Sequence, residues 1–193
     1  MDFDANWKWG KYFYNVSYAV STISGCHLDA NNNLVALGVG DSHPVIMEVD
    51  LIDGEVISFL SLDKITDGGR REAAFQTYGA IYHDTQDEDD GLAYYYVSFV
   101  VDDYMQILKI ETAEARIEWN YQYYRSTDGS DAEAYKNWKV PGFLHQSRGD
   151  TSRMYLLGRF AHAASVIQFS KRNMKVDWKL EIGEPLATGV DLP

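Results

Sequence analysis

The chain of 193 residues carries 29 acidic and 17 basic side chains, a formal charge of −12, and 46% of it is hydrophobic. That balance excludes an intrinsically disordered chain. No basic cluster exceeds the pairs in "GGRR" (68–71) and "SKRN" (170–173), so a phosphate-backbone binder is excluded too, and neither nucleic acid nor an anionic membrane surface is expected as a partner.

A 14% aromatic share with only 4 prolines favours strands, whose pleated surface aromatic side chains cover well. The single cysteine, Cys26, excludes an intrachain disulfide and any multi-cysteine zinc site. Its setting, "ISGCHLD", predicts a buried, inert thiol. The start "MDFDANWKWGK" has no basic region followed by an apolar run, and no stretch approaches the roughly 18 apolar residues of a spanning helix. Membrane insertion is therefore not expected, and a cytoplasmic location is favoured. The sequon "NVS" at Asn15 points to an extracellular setting only if an upstream targeting segment is missing.

Taken in chain order, residues 4–14 ("DANWKWGKYFY") predict an outer strand, with Trp7 or Trp9 on it, whose blade lacks its earlier strands. Three longer units follow at about 24–62, 78–124 and 141–182, each opening on a glycine: Gly25, Gly79 and Gly142. Each unit has the same four-part order. A short apolar stretch ("CHLD", "AIYH", "FLHQ") leads to an apolar run ("NLVALGVG", "LAYYYVSFVV", "RMYLLGRFA"). A third run follows ("PVIMEVDL", "MQILKIE", "SVIQFS"), and a fourth ends on an aromatic, with Phe59, Trp119 and Trp178 placed as counterparts. Short Val-, Ile- and Tyr-rich runs bounded by Gly, Asn and Asp read as strands joined by hairpins. The second runs are apolar on both faces, as a strand covered on both sides requires. Only "DAEAYKNW" (131–138) offers a helical turn or two, and residues 186–193 predict the start of a further inner strand.

Four antiparallel strands recurring with their glycine and terminal aromatic predict an all-β fold, a β-propeller segment of three whole blades with partial strands at either end. The outer hairpins "EVDLIDGEVISF", "KIETAEARIEW" and "FSKRNMKVDW" resemble those of quinoprotein-type (PQQ-like) propeller repeats, over about 160 residues. The chain departs from the enzymatic quinoproteins in having no vicinal cysteine pair, so the resemblance implies the fold and no bound cofactor.

Candidate sites are few. In "HDTQDEDDG", Asp84, Glu88 and Asp90 are the candidate ligands of a calcium loop, which spaces oxygen donors before a glycine; an exposed acidic hairpin turn is the simpler reading. "DANNN" (29–33) reads as an Asx turn. His27, His83 and His145 follow their repeat glycines by two, four and three residues, a spacing that puts His145 on the face opposite the other two and argues against a joint metal cluster. No nucleophilic triad, phosphate loop or zinc-protease motif is present. The long loops starting at Asp63 and Arg125 are the expected partner-contacting surface. The expected role is a non-enzymatic module for protein interaction or assembly, its unpaired strand edges completed by a second copy or another polypeptide. The alternative is an enzyme or binding protein with a carbohydrate-like ligand in a central channel.

Overall fold

The computed structural model describes residues 14–15, 18–40, 43–62, 75–87, 89–101, 104–123, 139–160 and 163–182. Among these residues the chain is all-β, without a helix, and antiparallel throughout. The first sheet runs β1 (Tyr14–Asn15), β2 (Tyr18–Leu28), β3 (Asn33–Gly40), β4 (His43–Asp50) and β5 (Val56–Ser61). The second runs β6 (Phe75–Asp84), β7 (Tyr94–Val101), β8 (Tyr104–Glu111) and β9 (Arg116–Tyr123). The third runs β10 (Lys139–Gln146), β11 (Arg153–Phe160), β12 (Ala163–Ser170) and β13 (Val176–Ile182). Apart from the two-residue β1, each is a four-stranded meander in sequence order, and the three do not close into a ring. Residues 4–13 and 186–193, the helical candidate 131–138 and most of both long loops lie outside the described residues. No helix among the described residues is long and apolar enough to cross a membrane.

The last hairpin of each sheet is built alike. Gly54, Ala115 and Met174 all adopt positive φ, at 73°, 53° and 53°, in the loops of five, four and five residues that join β4 to β5, β8 to β9 and β12 to β13. In the first, Gly54 N–H donates to the Asp50 carbonyl; in the third, Met174 N–H donates to that of Ser170. Each hairpin then carries one bulge, leaving Ile57, Glu118 and Asp177 without a cross-strand partner. Counted from this bulge, Ser58, Trp119 and Trp178 share one position, and Phe59 stands one residue further along. Phe59 consequently packs on the opposite face of its sheet, against Met47.

The sheets stack through their faces, with first strands side by side: β2 beside β6 and β6 beside β10. Val35, Leu37 and Ile46 of the first sheet meet Ile81, Val97, Phe99 and Leu108 of the second. The second sheet's other face, with Tyr94, Tyr96 and Ile107, meets Leu144, Met154, Leu156, Ile167 and Phe169 of the third. Burying each such side chain contributes about 1.5–3 kcal/mol. Two glycines permit the approach of β2 and β6. A Cβ on Gly25 would stand 2.5 Å from the Gly79 carbonyl oxygen, and one on Gly79 would stand 2.4 Å from Leu37 Cδ2.

Two expectations from the sequence are corrected. Cys26 is exposed, not buried. It alternates with Gly25 and His27 along β2 and so points to the face turned away from the second sheet. His145 pairs with Tyr155 where His27 pairs with Val35 and Tyr82 with Tyr96. It therefore shares a row with His27, and His83, adjacent to Tyr82, points to the other side.

Candidate functional site

Three first strands side by side bring His27, Tyr82 and His145 together. The His27 and Tyr82 rings lie 4.4 Å apart, and the His145 ring stands edge-on to Tyr82 at 6.1 Å. Tyr82 donates its hydroxyl proton to Gln146 Oε1 at 2.5 Å. Burial is the main cause that lowers the His27 pKa, with Asp29 opposing and His145 and His83 adding to the fall. Burial, helped by Asp84, pushes the Tyr82 hydroxyl up to about 12.

Between the first and second sheets lies a buried polar cluster. Asp29 begins the turn after β2, where its Oδ1 accepts from the N–H groups of Asn31 and Asn33 at 2.9 and 2.8 Å, while Asn32 takes positive φ. This turn aims Oδ2 across the junction, 3.0 Å from His83 Nδ1. Glu48 on β4 accepts from Asn33 Nδ2 at 2.9 Å and from the Tyr95 hydroxyl at 3.1 Å. The Tyr95 ring in turn lies 4.6 Å from His83. Asp29, Glu48 and His83 each present a donor atom within 4.8 Å of the others.

The junction of the second and third sheets is also polar but contains lysines. Asp87 caps its own turn, with Oδ1 accepting from Asp89 N–H at 2.9 Å. Its Oδ2 faces the Tyr96 hydroxyl at 3.3 Å, Lys171 Nζ at 3.6 Å and Lys109 Nζ at 3.7 Å. Lys171, from the outer hairpin of the third sheet, also pairs with Asp84. Lys109 Nζ sits 3.8 Å above the Tyr94 ring, a cation–π contact in a buried setting. Burial raises the hydroxyl pKa of both Tyr94 and Tyr96. At the edge of this junction a cleft of about 420 Å³ opens between Asp90, Tyr94, Lys109, Glu118, Trp119 and Arg172.

Two of the three candidate calcium ligands fall among the described residues, and each has a different partner. Asp84 is buried against Lys171, whose ammonium already occupies the place of a cation. Asp90 is exposed, accepts from the Tyr94 hydroxyl at 2.7 Å, and has its carboxyl held low by that bond. Glu88 lies outside the described residues. Sequence reasoning passed over Asp87, Lys109 and Lys171, and over the pairing of Asp29 with Glu48 and His83. Their local signals, an aspartate at a hairpin turn or a single polar residue within or beside an apolar strand, are commonplace.

The far face of the third sheet is a different kind of feature. Leu157, Val166 and Leu180 lie across from one another in register, as do Tyr155, Gln168 and Trp178. Leu157 is 40% exposed, Trp178 42%, Leu180 51% and Ile182 57%. The corresponding positions of the first two sheets are covered: Val35 and Leu37 by the second sheet, Tyr96 by the third. Two polar groups on this face bond to each other, with Gln168 Nε2 donating to the Tyr155 hydroxyl at 2.8 Å. The chain matches no known family model and no curated protein sequence.

Proposed function

We propose that this chain is a segment of a β-propeller, with repeats of the PQQ-like type, and serves as an interaction module that associates sheet to sheet. The parallel placement of first strands, the common meander order and the shared bulge position support the propeller reading. The exposed apolar face of the third sheet is the observation that carries the function. It lies where the two preceding sheets each bury an apolar face, and a contiguous patch of this kind marks an interaction surface. An apolar face of this kind can meet another without stranding the Tyr155 and Gln168 polar groups, so a second copy related by a two-fold axis is the simplest partner. Sedimentation velocity from nanomolar to high micromolar concentration tests this. The wild-type chain should associate, and a W178S/L180D variant with an unchanged far-UV spectrum should remain monomeric. A wild-type monomer throughout would overturn the reading.

A second reading, a site for a carbohydrate-like ligand, is favoured by the cleft at the second junction, where Trp119 and Tyr94 stand beside Asp90 and Glu118. Tryptophan fluorescence titrated with a panel of oligosaccharides tests it; no change on any of them, with W119F as control, would remove its support.

A further inference from the structure

The two sheet junctions differ in how their buried charge is balanced. Glu48 and Lys109 hold the same position: each is the third-strand residue paired with the second-strand position of Val35 and Tyr96, respectively. Asp29 and Asp84 likewise each follow the row residues His27 and Tyr82 by two. At the second junction the carboxylates of Asp84 and Asp87 face the ammonium groups of Lys109 and Lys171, so the charges cancel. At the first, among the described residues, Asp29 and Glu48 meet His83, with His27 further off, and no lysine or arginine pairs with them. The cluster thus gathers two carboxylates around one imidazole, with donor atoms all within 4.8 Å of one another. Asn33 and Tyr95 give Glu48 hydrogen bonds but no compensating charge. Burying a carboxylate without a compensating charge carries a desolvation penalty that persists even after relaxation.

We infer that Asp29, Glu48 and His83 form a binding site for one divalent transition-metal cation, of which zinc is the type. Two carboxylates and a neutral imidazole bring the charge of a divalent ion to zero. A nitrogen donor mixed with oxygen donors suits zinc better than calcium or magnesium, which take oxygen alone. The site is built by elements from two sheets: Asp29 from the β2–β3 turn, Glu48 from β4 and His83 from β6. The cation therefore does for the first junction what the lysines do for the second, and ties the sheets together. Three protein ligands leave one tetrahedral position for water.

Isothermal titration of the chelator-treated full chain with Zn²⁺ tests the inference, with Co²⁺ as a spectroscopic probe. One equivalent should bind and raise Tm, and Co²⁺ should show the visible absorption of a four- or five-coordinate ion. Glu48→Gln keeps the side-chain shape and should weaken binding at least tenfold, while leaving metal-free Tm unchanged or higher, since a buried charge is removed. Glu48→Lys, which installs the residue of the second junction, should abolish metal binding and leave Tm insensitive to Zn²⁺. Binding of Zn²⁺ that is the same in wild type, Glu48→Gln and His83→Gln would place the ion elsewhere and overturn the inference. So would a wild-type chain that binds none.

Discussion

Replacing Gly25 by alanine is the most direct test of how the first two sheets meet. The new Cβ would stand 2.5 Å from the Gly79 carbonyl oxygen and 3.3 Å from the Ala80 Cα, both backbone atoms. A carbon–oxygen contact of ordinary length is nearly an ångström longer, and no rotamer change can supply the difference. The β2 and β6 backbones must separate, loosening the packing of Leu37 and Val35 behind them. Overpacking of this kind costs about 1–3 kcal/mol, which for a chain of this length lowers Tm by about 3–9 °C. Gly149→Ala is the control, because nothing lies within 4 Å of the place its new methyl group would take and its φ is not left-handed; it should be neutral or slightly stabilising through the unfolded chain. Differential scanning calorimetry on both variants reads the contrast. Equal Tm values for Gly25→Ala and the wild type would refute the close approach of the two strands.

Lys171→Met removes the ammonium that pairs with Asp84, leaving that buried carboxylate without its cation while Asp87 keeps Lys109; urea unfolding at unchanged m-value should show a loss of about 3–5 kcal/mol. Ala115 is exposed and held at φ 53°, so Ala115→Gly should gain about 0.5–1 kcal/mol in the same assay. Met174→Gly, at the matching φ but buried in the core, should lose stability instead. Tyr82 is pushed up to about 12 and Tyr94 and Tyr96 are also raised above their unfolded value near 10. Their contribution to stability is therefore present below pH 10 and is lost as pH climbs towards 12, which absorbance titration at 295 nm alongside circular dichroism should show as late tyrosine ionisation coinciding with unfolding.

Strand order was legible in the sequence because hairpin turns and apolar runs are local signals. The double-sided apolar runs at 35–40 and 94–99 are strand segments buried on both faces, as such a pattern requires. Register was less legible. A bulge shifts side chains to the opposite face without altering composition, so Phe59 could be matched to Trp119 and Trp178 although Ser58 shares their position. The same uncertainty, counting from glycines and not from strand pairs, misplaced His145. The polar clusters were out of reach for another reason: they join residues distant in the chain. Asp29 and His83 are 54 positions apart, and Glu48 and Tyr95 are 47. Each member alone is an ordinary turn aspartate or strand residue.

Those clusters also decide what the third sheet's open face can do. Apolar faces of Leu, Ile, Val and Met are nearly interchangeable, with volume-conserving swaps costing under about 1.5 kcal/mol. A buried charge parted from its partner costs about 3–5 kcal/mol, so at the two internal junctions the polar groups set how one sheet seats on the next. On the open face Tyr155 and Gln168 already bond to each other, and the exposed side chains there include Leu157, Trp178, Leu180 and Ile182. The proposed association through this face would be driven by apolar area and opposed by the mutual repulsion of two chains each carrying a formal charge of −12. Added salt screens that repulsion. The dissociation constant measured by sedimentation should therefore fall, or hold steady, as sodium chloride rises from low to near-molar concentration, and dissociation at high salt would show that charge pairs, not the apolar face, hold the copies together.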